Sequence, residues 1–378
     1  MDRSRNLVFL WDNFGPTHAD RCQAVTESLG DRAKIVGLEL LGRSSTYDWD
    51  PEKGAGFQKV TLFPSVGDDK PRPSAPARLG RMLKFWLKQP RSTWFVCHYD
   101  WIDIFLFSLF LRMTGVKIYT LIDSKFDDKK RFFWNEFIKR IFLAPYRGGI
   151  SCEGRAADYL RFLGLKEERI VPAYDTLSTE RIRTLSGAEP APGGVPFDAR
   201  HFTIIARLVP KKNISMALKA FAAYCEKARI RRKLVICGSG PLEDDLRREA
   251  LELGISEDVE FRGFVQTEAI ARVLSSSLAL ILPSTEEQFG LVVVEALAMG
   301  VPAVVSDRCG ARDSLVRSGV NGFVVEPDNP AGLAWFLVQL SDHQELWNDF
   351  AIAAFSASDR GDVKNFVESV RTLAFEQQ

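Results

Sequence analysis

The chain reads as an α/β protein built from two tandem Rossmann-like domains, and three observations predict this. Its 378 residues exceed what one hydrophobic core usually organises. Short apolar, strand-like runs alternate with helix-capable segments in both halves, a pattern that favours parallel sheets covered by helices on both faces. Between the two series, residues 184–199 (TLSGAEPAPGGVPFDA) concentrate proline and glycine. The expected domains are therefore 1–190 and 200–358, with 359–378 as a C-terminal helix packing back on the first domain.

In the first half the strand-like runs are NLVFLW, KIVGLEL, KVTLF, TWFVCHY, KIYTLID and GGISCE. The first is followed by DNFGPTHADRCQAVTESLG, a loop and then a helix with Ala24, Val25 and Leu29 on one face. Residues 64–77, rich in Pro, Ser and charge, read as a surface loop. The second half repeats the alternation with FTIIA, KLVICGSG, VEFRG, LALILPS, VPAVVS and GFVVEP, and helices are expected from Ile214, Leu242, Glu268, Leu291 and Pro330. Ligands of such sheets bind outside the carboxyl ends of the strands, so chemistry is expected where the strands of the two domains face each other across a cleft.

Composition narrows the function classes. With 46% hydrophobic and 26% charged residues the chain has an ordinary globular make-up. Its six cysteines lie far apart without a CxxC pair and the start carries no secretory leader, so reduced, buried thiols in the cytoplasm are expected. Four histidines, none at ligand spacing from a cysteine, point to no metal. The longest apolar run, WIDIFLFSLFL (101–111), is interrupted by Asp103 and reaches only about half the roughly twenty residues of a membrane-spanning helix. Net charge is +1, but residues 70–147 hold 16 Lys/Arg against 6 Asp/Glu.

Four patterns in the second half fall at strand ends. In ARLVPKKNISMALKAF, Arg207 and Lys212 precede a helix, where guanidinium, ammonium and the free amides of a first turn can converge on a phosphate. Solvated loop cations are the plain alternative. LVICGSGPLEDDL ends a strand in Gly238 and Gly240, which suit a close ligand approach or any tight turn. Its spacing is not the GxGxxG dinucleotide fingerprint. LPSTEEQFGLVVVEALAMGVPAVVSD places Glu287 in a loop and Glu295 on the second turn of a helix rich in buried-type residues. A carboxylate there is costly unless it is paired, or else it faces solvent. SDRCGARDSLVRSGVNGFVVEPDN follows, with a glycine at 310 and a turn into a further strand.

In order and spacing, ARLVPKK, GSGP, EFRGFV, PSTEEQFGLVVVEALAMGVPAVV, CGARD and NGFVV, over about residues 203–327, resemble the retaining glycosyltransferases of family 4, whose fold is GT-B. The resemblance implies a polysaccharide- or glycan-assembly type of enzyme that moves a sugar from a nucleotide-diphosphate sugar to a glycan or lipid-linked acceptor. It implies that Arg207 and Lys212 grip the diphosphate, Glu287 holds donor-sugar hydroxyls, and Glu295 accepts from the ribose. Amides of Phe289, Gly290 and Leu291 would add to the phosphate site, and neither metal nor cofactor would be needed. Ala206, Asn213 and Gln288 replace usual glycines and Arg312 stands in a loop that is often smaller; these are expected to adjust donor choice. In the first half Gly15 and His18 occupy the acceptor-side loop. Asp123 stands about where many members have a histidine, and His98 ends the preceding strand, so either is a candidate to orient the acceptor. Tyr174-Asp175 departs from the family's IPNGVD turn. An epimerase or disaccharide synthase on the same fold, and a catalytically silent nucleotide-binding subunit, remain open alternatives.

Within the basic sector, residues 78–91 and 129–147 interleave Lys/Arg with Phe, Trp, Leu and Ile at helical spacing. Such helices suit an anionic membrane surface, which would place the protein peripherally on the inner face of the cytoplasmic membrane; the alternative is that their apolar faces are core. No recognition motif accompanies the charge, so nucleic acid is not an expected partner.

Overall fold

The computed structural model describes residues 5–42, 56–64, 72–89 and 91–376; residues 65–71, half of the loop expected at 64–77, lie outside them. The chain divides into two compact units. The first comprises Met1–Phe126, Lys130–Leu177 and Val363–Gln378, and the second Asp127–Lys129 and Ser178–Asp362.

The first unit is built on strands β1 (Arg5–Trp11), β2 (Ala33–Leu41), β3 (Gln58–Phe63), β4 (Ser92–Val96), β5 (Ile118–Ile122), β6 (Gly148–Ser151) and β7 (Ile170–Val171). All pair in parallel in the order β3-β2-β1-β4-β5-β6-β7. β1, β4 and β5 are buried from end to end or nearly so, as strands covered on both faces must be. Their helices are α1 (Pro16–Leu29), α2 (Ala75–Leu87), α3 (Ile102–Met113), α4 (Phe133–Leu143) and α5 (Arg155–Phe162).

The second unit opens with α6 (Thr179–Ser186) and continues with β8 (His201–Ile205), α7 (Ile214–Lys227), β9 (Leu234–Cys237), α8 (Glu243–Glu252), β10 (Val259–Gly263), α9 (Thr267–Ser275), β11 (Ser277–Leu282), α10 (Leu291–Ala298), β12 (Ala303–Ser306), β13 (Gly322–Val325), α11 (Pro330–Asp342) and α12 (Gln344–Ala357). Its sheet, again all parallel, runs β10-β9-β8-β11-β12-β13. Phe202, Ile204, Phe221, Leu278 and Leu337 are among the fully buried side chains of its core. The chain then returns to the first unit, where α13 (Val363–Arg371) packs on α1 and Arg371 donates to Ser28 Oγ at 2.5 Å.

The crossing into the second unit comes at Leu177/Ser178, not within residues 184–199. That Pro/Gly-rich stretch is pinned to the second unit. The buried Arg200 guanidinium donates to the carbonyls of Gly193, Val195, Ser275 and Ser277, and Ala191 N–H donates to Met299 O at 2.9 Å. Burial without a carboxylate partner pulls the Arg200 pKa down to about 10. Backbone that looks like a linker by composition is here held by one side chain satisfying four carbonyls.

All six cysteines are free thiols, five of them buried and Cys97 half-buried. Burial pushes Cys97 up to about 12 and Cys225 and Cys237 to about 11, and raises Cys22 and Cys152 as well.

Candidate active site

In the second unit β8 and β11 are neighbours, and the strand order reverses between them. Loops leaving the two carboxyl ends there diverge to opposite sides, which is where open α/β sheets bind ligands. Residues 206–213 leave β8 and residues 283–290 leave β11. Although 75 positions apart, Lys212 Nζ and a Glu287 carboxylate oxygen meet in a direct ion pair, each side chain 13% exposed. Ser284 Oγ donates to the same oxygen at 3.1 Å. Beside it Lys211 pairs with Glu286 at 3.2 Å, and Thr285 N–H donates to Lys211 O at 2.8 Å, which ties the two loops together. Arg207, half-buried, leaves β8 in the same loop.

Asn213 explains its own presence. It sits at φ 56°, ψ 37°, the left-handed region in which asparagine is the best tolerated residue after glycine. Its side-chain amide donates to Pro283 O at 3.0 Å and Pro327 O at 2.7 Å, bonds a glycine cannot make.

Gly290, at φ 99°, turns the chain from the β11 loop into α10. This loop is held from behind. Cys309 Sγ donates to Phe289 O at 3.0 Å, Ala311 N–H donates to the same carbonyl at 2.8 Å, and Gly310 N–H donates to Glu287 O at 3.2 Å. The first-turn amides of α10 have no acceptors within the helix itself. Glu295 lies half-buried on its second turn, while Val293, Val294, Ala296 and Leu297 are buried.

Gly238 serves close packing of two loops. A Cβ there would stand 1.8 Å from Ala206 O, and Leu208 N–H donates to Ser239 O at 2.9 Å. Gly240 approaches Leu208 in the same way. Ala206 itself has no positive φ, so the family's glycine is not required there. Gln288 is exposed, and Arg312 lies at 3.7 Å from Asp313 and donates to Asp307 O at 3.3 Å.

The first unit has its own reversal point, between β1 and β4. His98 follows β4 with φ 58°, an unusual conformation for a histidine, and its ring stacks on Trp101 at 4.3 Å. Burial holds its pKa below the ordinary imidazole value. Sequence reading missed the partners here: Arg72 pairs with Asp12 at 2.9 Å and lies over the Trp101 ring at 4.1 Å. The available signal was position, since Asp12 follows β1 as His98 follows β4. Gly15 caps α1, and its N–H donates to His18 Nδ1 at 3.0 Å. His18 therefore carries its proton on Nε2. Burial, then the positive charge of Arg21, keeps its pKa well below the ordinary value, so it is neutral at pH 7. Asp123, half-buried, follows β5.

Tyr174 and Asp175 belong to the interior. Asp175 pairs with the buried Arg21 at 3.1 Å, and Trp11 Nε1 donates to Tyr174 OH at 3.0 Å. The expected membrane segments also separate here. Leu79, Leu83, Phe85 and Trp86 of α2 pack against the core, so residues 78–91 offer no free aromatic face, whereas α4 leaves Phe133 and Trp134 exposed.

Residues 189–356 match the family described as glycosyl transferases group 1. The match covers less than half of the chain and lies in the second unit. Arg207, Lys212, Gly238, Gly240, Glu287, Phe289, Gly290, Leu291 and Glu295 all lie within the matched residues; Gly15, His18, His98 and Asp123 lie outside them. A D-inositol 3-phosphate glycosyltransferase of Streptomyces scabiei is 30% identical over 201 residues, 50% of this chain and 45% of that protein. The chain thus spans less than half the length of the curated relatives it matches. Among solved structures, the apo lipopolysaccharide outer core galactosyltransferase WaaB superposes with a TM-score of 0.72 at 15% identity, over 99% of this chain and 100% of that one. Anabaena Alr3699/HepE in complex with UDP-glucose superposes with 0.70 at 17% identity, over 98% and 99%. The chain has the GT-B fold of these structures.

Proposed function

We propose that the protein is a retaining glycosyltransferase that moves a sugar from a nucleoside-diphosphate donor to an acceptor hydroxyl, the acceptor being a lipid-linked saccharide or another cell-surface glycan precursor. The observation that carries this reading is the Lys212–Glu287 pair at the β8/β11 reversal point. Arriving diphosphate oxygens draw Lys212 away from Glu287, and the released carboxylate accepts from donor-sugar hydroxyls. Each charge is paired before and after the exchange, so neither is left half-buried and uncompensated. Arg207 and the amides of Phe289, Gly290 and Leu291 complete the phosphate site, and Gly238 and Gly240 keep that loop side free of side chains. Glu295 accepts from the ribose.

These cationic groups steady the charge that builds on the leaving diphosphate, the work a divalent ion does elsewhere, and the reaction proceeds without one. The bond from the anomeric carbon to the diphosphate breaks, a bond to the acceptor oxygen forms on the same face, and the hydroxyl proton passes to the departing diphosphate. The first unit takes the acceptor, with Gly15 and His18 at its entrance and neutral His98 and Asp123 orienting the hydroxyl. The UDP-glucose held by the Anabaena structure and the lipopolysaccharide acceptor named for WaaB support the donor and acceptor classes.

A panel of nucleotide-sugars, begun with UDP-sugars and run with and without EDTA, should give thermal stabilisation and slow turnover by one donor, unaffected by chelation. Glu287→Ala and Lys212→Ala should each abolish turnover with the far-UV spectrum unchanged. Full turnover in both variants overturns the assignment.

A further inference from the structure

Helices α3 and α4 together turn an apolar surface outward. On α4 Phe133, Trp134, Phe137 and Ile138 are exposed, Phe133 and Trp134 by 75% and 72%; on α3 Leu106 and Met113 are exposed in the same way. Phe105 of α3 stacks on Phe142 of α4 at 4.4 Å, which holds the two helices side by side. An exposed apolar surface of this kind marks an interaction site.

The charges on these helices say what covers it. Each helix carries one carboxylate, and both are turned inward: Asp103 is buried against Arg78 at 2.6 Å, and Glu136 is buried against Lys139 and Arg131. The cations are turned outward, since Arg112 and Arg140 are exposed, as is Lys130 just before α4. The outer face of α3 and α4 thus combines aromatic and aliphatic groups with positive charge, and the helices themselves show no exposed carboxylate; the exposed Asp100 and Asp127 lie outside them. A second copy docked face to face would set these cations against one another. No helix among the described residues is long and apolar enough to cross a membrane.

We propose that α3 and α4 form the docking face of the protein on an anionic lipid surface, with Phe133, Trp134 and Phe137 at the headgroup level and Arg112, Lys130 and Arg140 against lipid phosphates. Aromatic groups favour that interfacial depth, and basic side chains are drawn to anionic headgroups. This inference stands on the face itself and is independent of the donor chemistry.

Co-sedimentation of the full chain with vesicles tests it. The protein should pellet with phosphatidylglycerol-containing vesicles at 50 mM salt, remain in solution with pure phosphatidylcholine, and be released at 500 mM salt. The double variant Trp134→Glu/Phe137→Glu should lose at least tenfold in vesicle affinity, and Lys130→Ala/Arg140→Ala should weaken binding and flatten its salt dependence. Trp335→Glu, an exposed tryptophan of the second unit, should bind as the parent does. The far-UV spectrum and melting temperature should stay at the parent's values in every variant and show that each is folded. Failure of the parent chain to pellet with anionic vesicles overturns the proposal. So does dimerisation of the parent that the Trp134/Phe137 variant abolishes, because the face then serves a second copy.

Discussion

The two units share one sheet plan and use it differently. Both reverse strand order beside their first strand, and both place ionisable groups there: Lys212 and Glu287 after β8 and β11, Asp12 and His98 after β1 and β4. In the second unit the residues that stand out in the sequence are those at the reversal point. In the first unit the ion pair closest to the core, Arg21–Asp175, serves the fold, and the groups at the reversal point are joined by Arg72, which arrives from a loop. A diphosphate and a ribose pose the same recognition problem to every enzyme that binds them, whereas acceptors differ. Under the proposed function the second unit takes the shared ligand and the first the variable one, and the comparison teaches that a shared ligand leaves a spaced motif and a variable one does not.

The comparison breaks most visibly if the two kinds of pair respond alike. Arg21→Ala removes the guanidinium that pairs with Asp175 in the interior, and should cost about 3–5 kcal/mol of stability by denaturant titration while nucleotide affinity stays near the parent value. Glu287→Gln keeps the size and removes the charge. It should lower turnover about a hundredfold, close to 3 kcal/mol of transition-state stabilisation, and shift the melting temperature little. Reversal of these two outcomes would erase the distinction between the units.

A third measurement uses pH. His201 donates from Nδ1 to Ser276 O at 2.8 Å, its other nitrogen is buried without a partner, and burial lowers its pKa from 6.5 to about 4. The unfolded imidazole takes up its proton near pH 6.5 and the folded one only near 4, so the unfolded state binds more protons between those values. Stability from this group is complete above pH 6.5 and falls by about 2–3 kcal/mol as pH drops towards 4. His201→Gln should flatten that part of the stability profile; an unchanged slope would remove His201 as its source. The smallest effect concerns Asn213. Asn213→Ala must hold a left-handed backbone without its two carbonyl bonds and should cost about 2 kcal/mol, whereas Asn213→Gly should cost about 1. Equal losses would mean that the side-chain bonds, and not the backbone conformation, are what that position needs.

Both sheets were legible in the sequence because parallel strands buried on two faces are near-continuously apolar, as β11 is after its opening Ser277. The meeting of Lys212 and Glu287 at one reversal point was legible because their spacing is imposed by strand, loop and helix in fixed succession. What escaped was set by contacts across long stretches of chain. Arg21 and Asp175 lie 154 positions apart, and nothing local marks either as a partner of the other. The Pro/Gly-rich stretch misled because composition reports backbone freedom and not whether a distant arginine consumes it. The aromatic helices were ambiguous by pattern alone, and only packing distinguished α2, whose face is core, from α4, whose face is open.

The shielded thiols have a practical consequence. With five cysteines buried and the half-buried Cys97 pushed up to about 12, alkylating reagents at neutral pH meet little thiolate at the four other thiols that burial raises. A single cysteine introduced at Asn135 or Ile352, both exposed, can therefore carry a fluorophore or spin label on the parent chain without first stripping out its six native thiols.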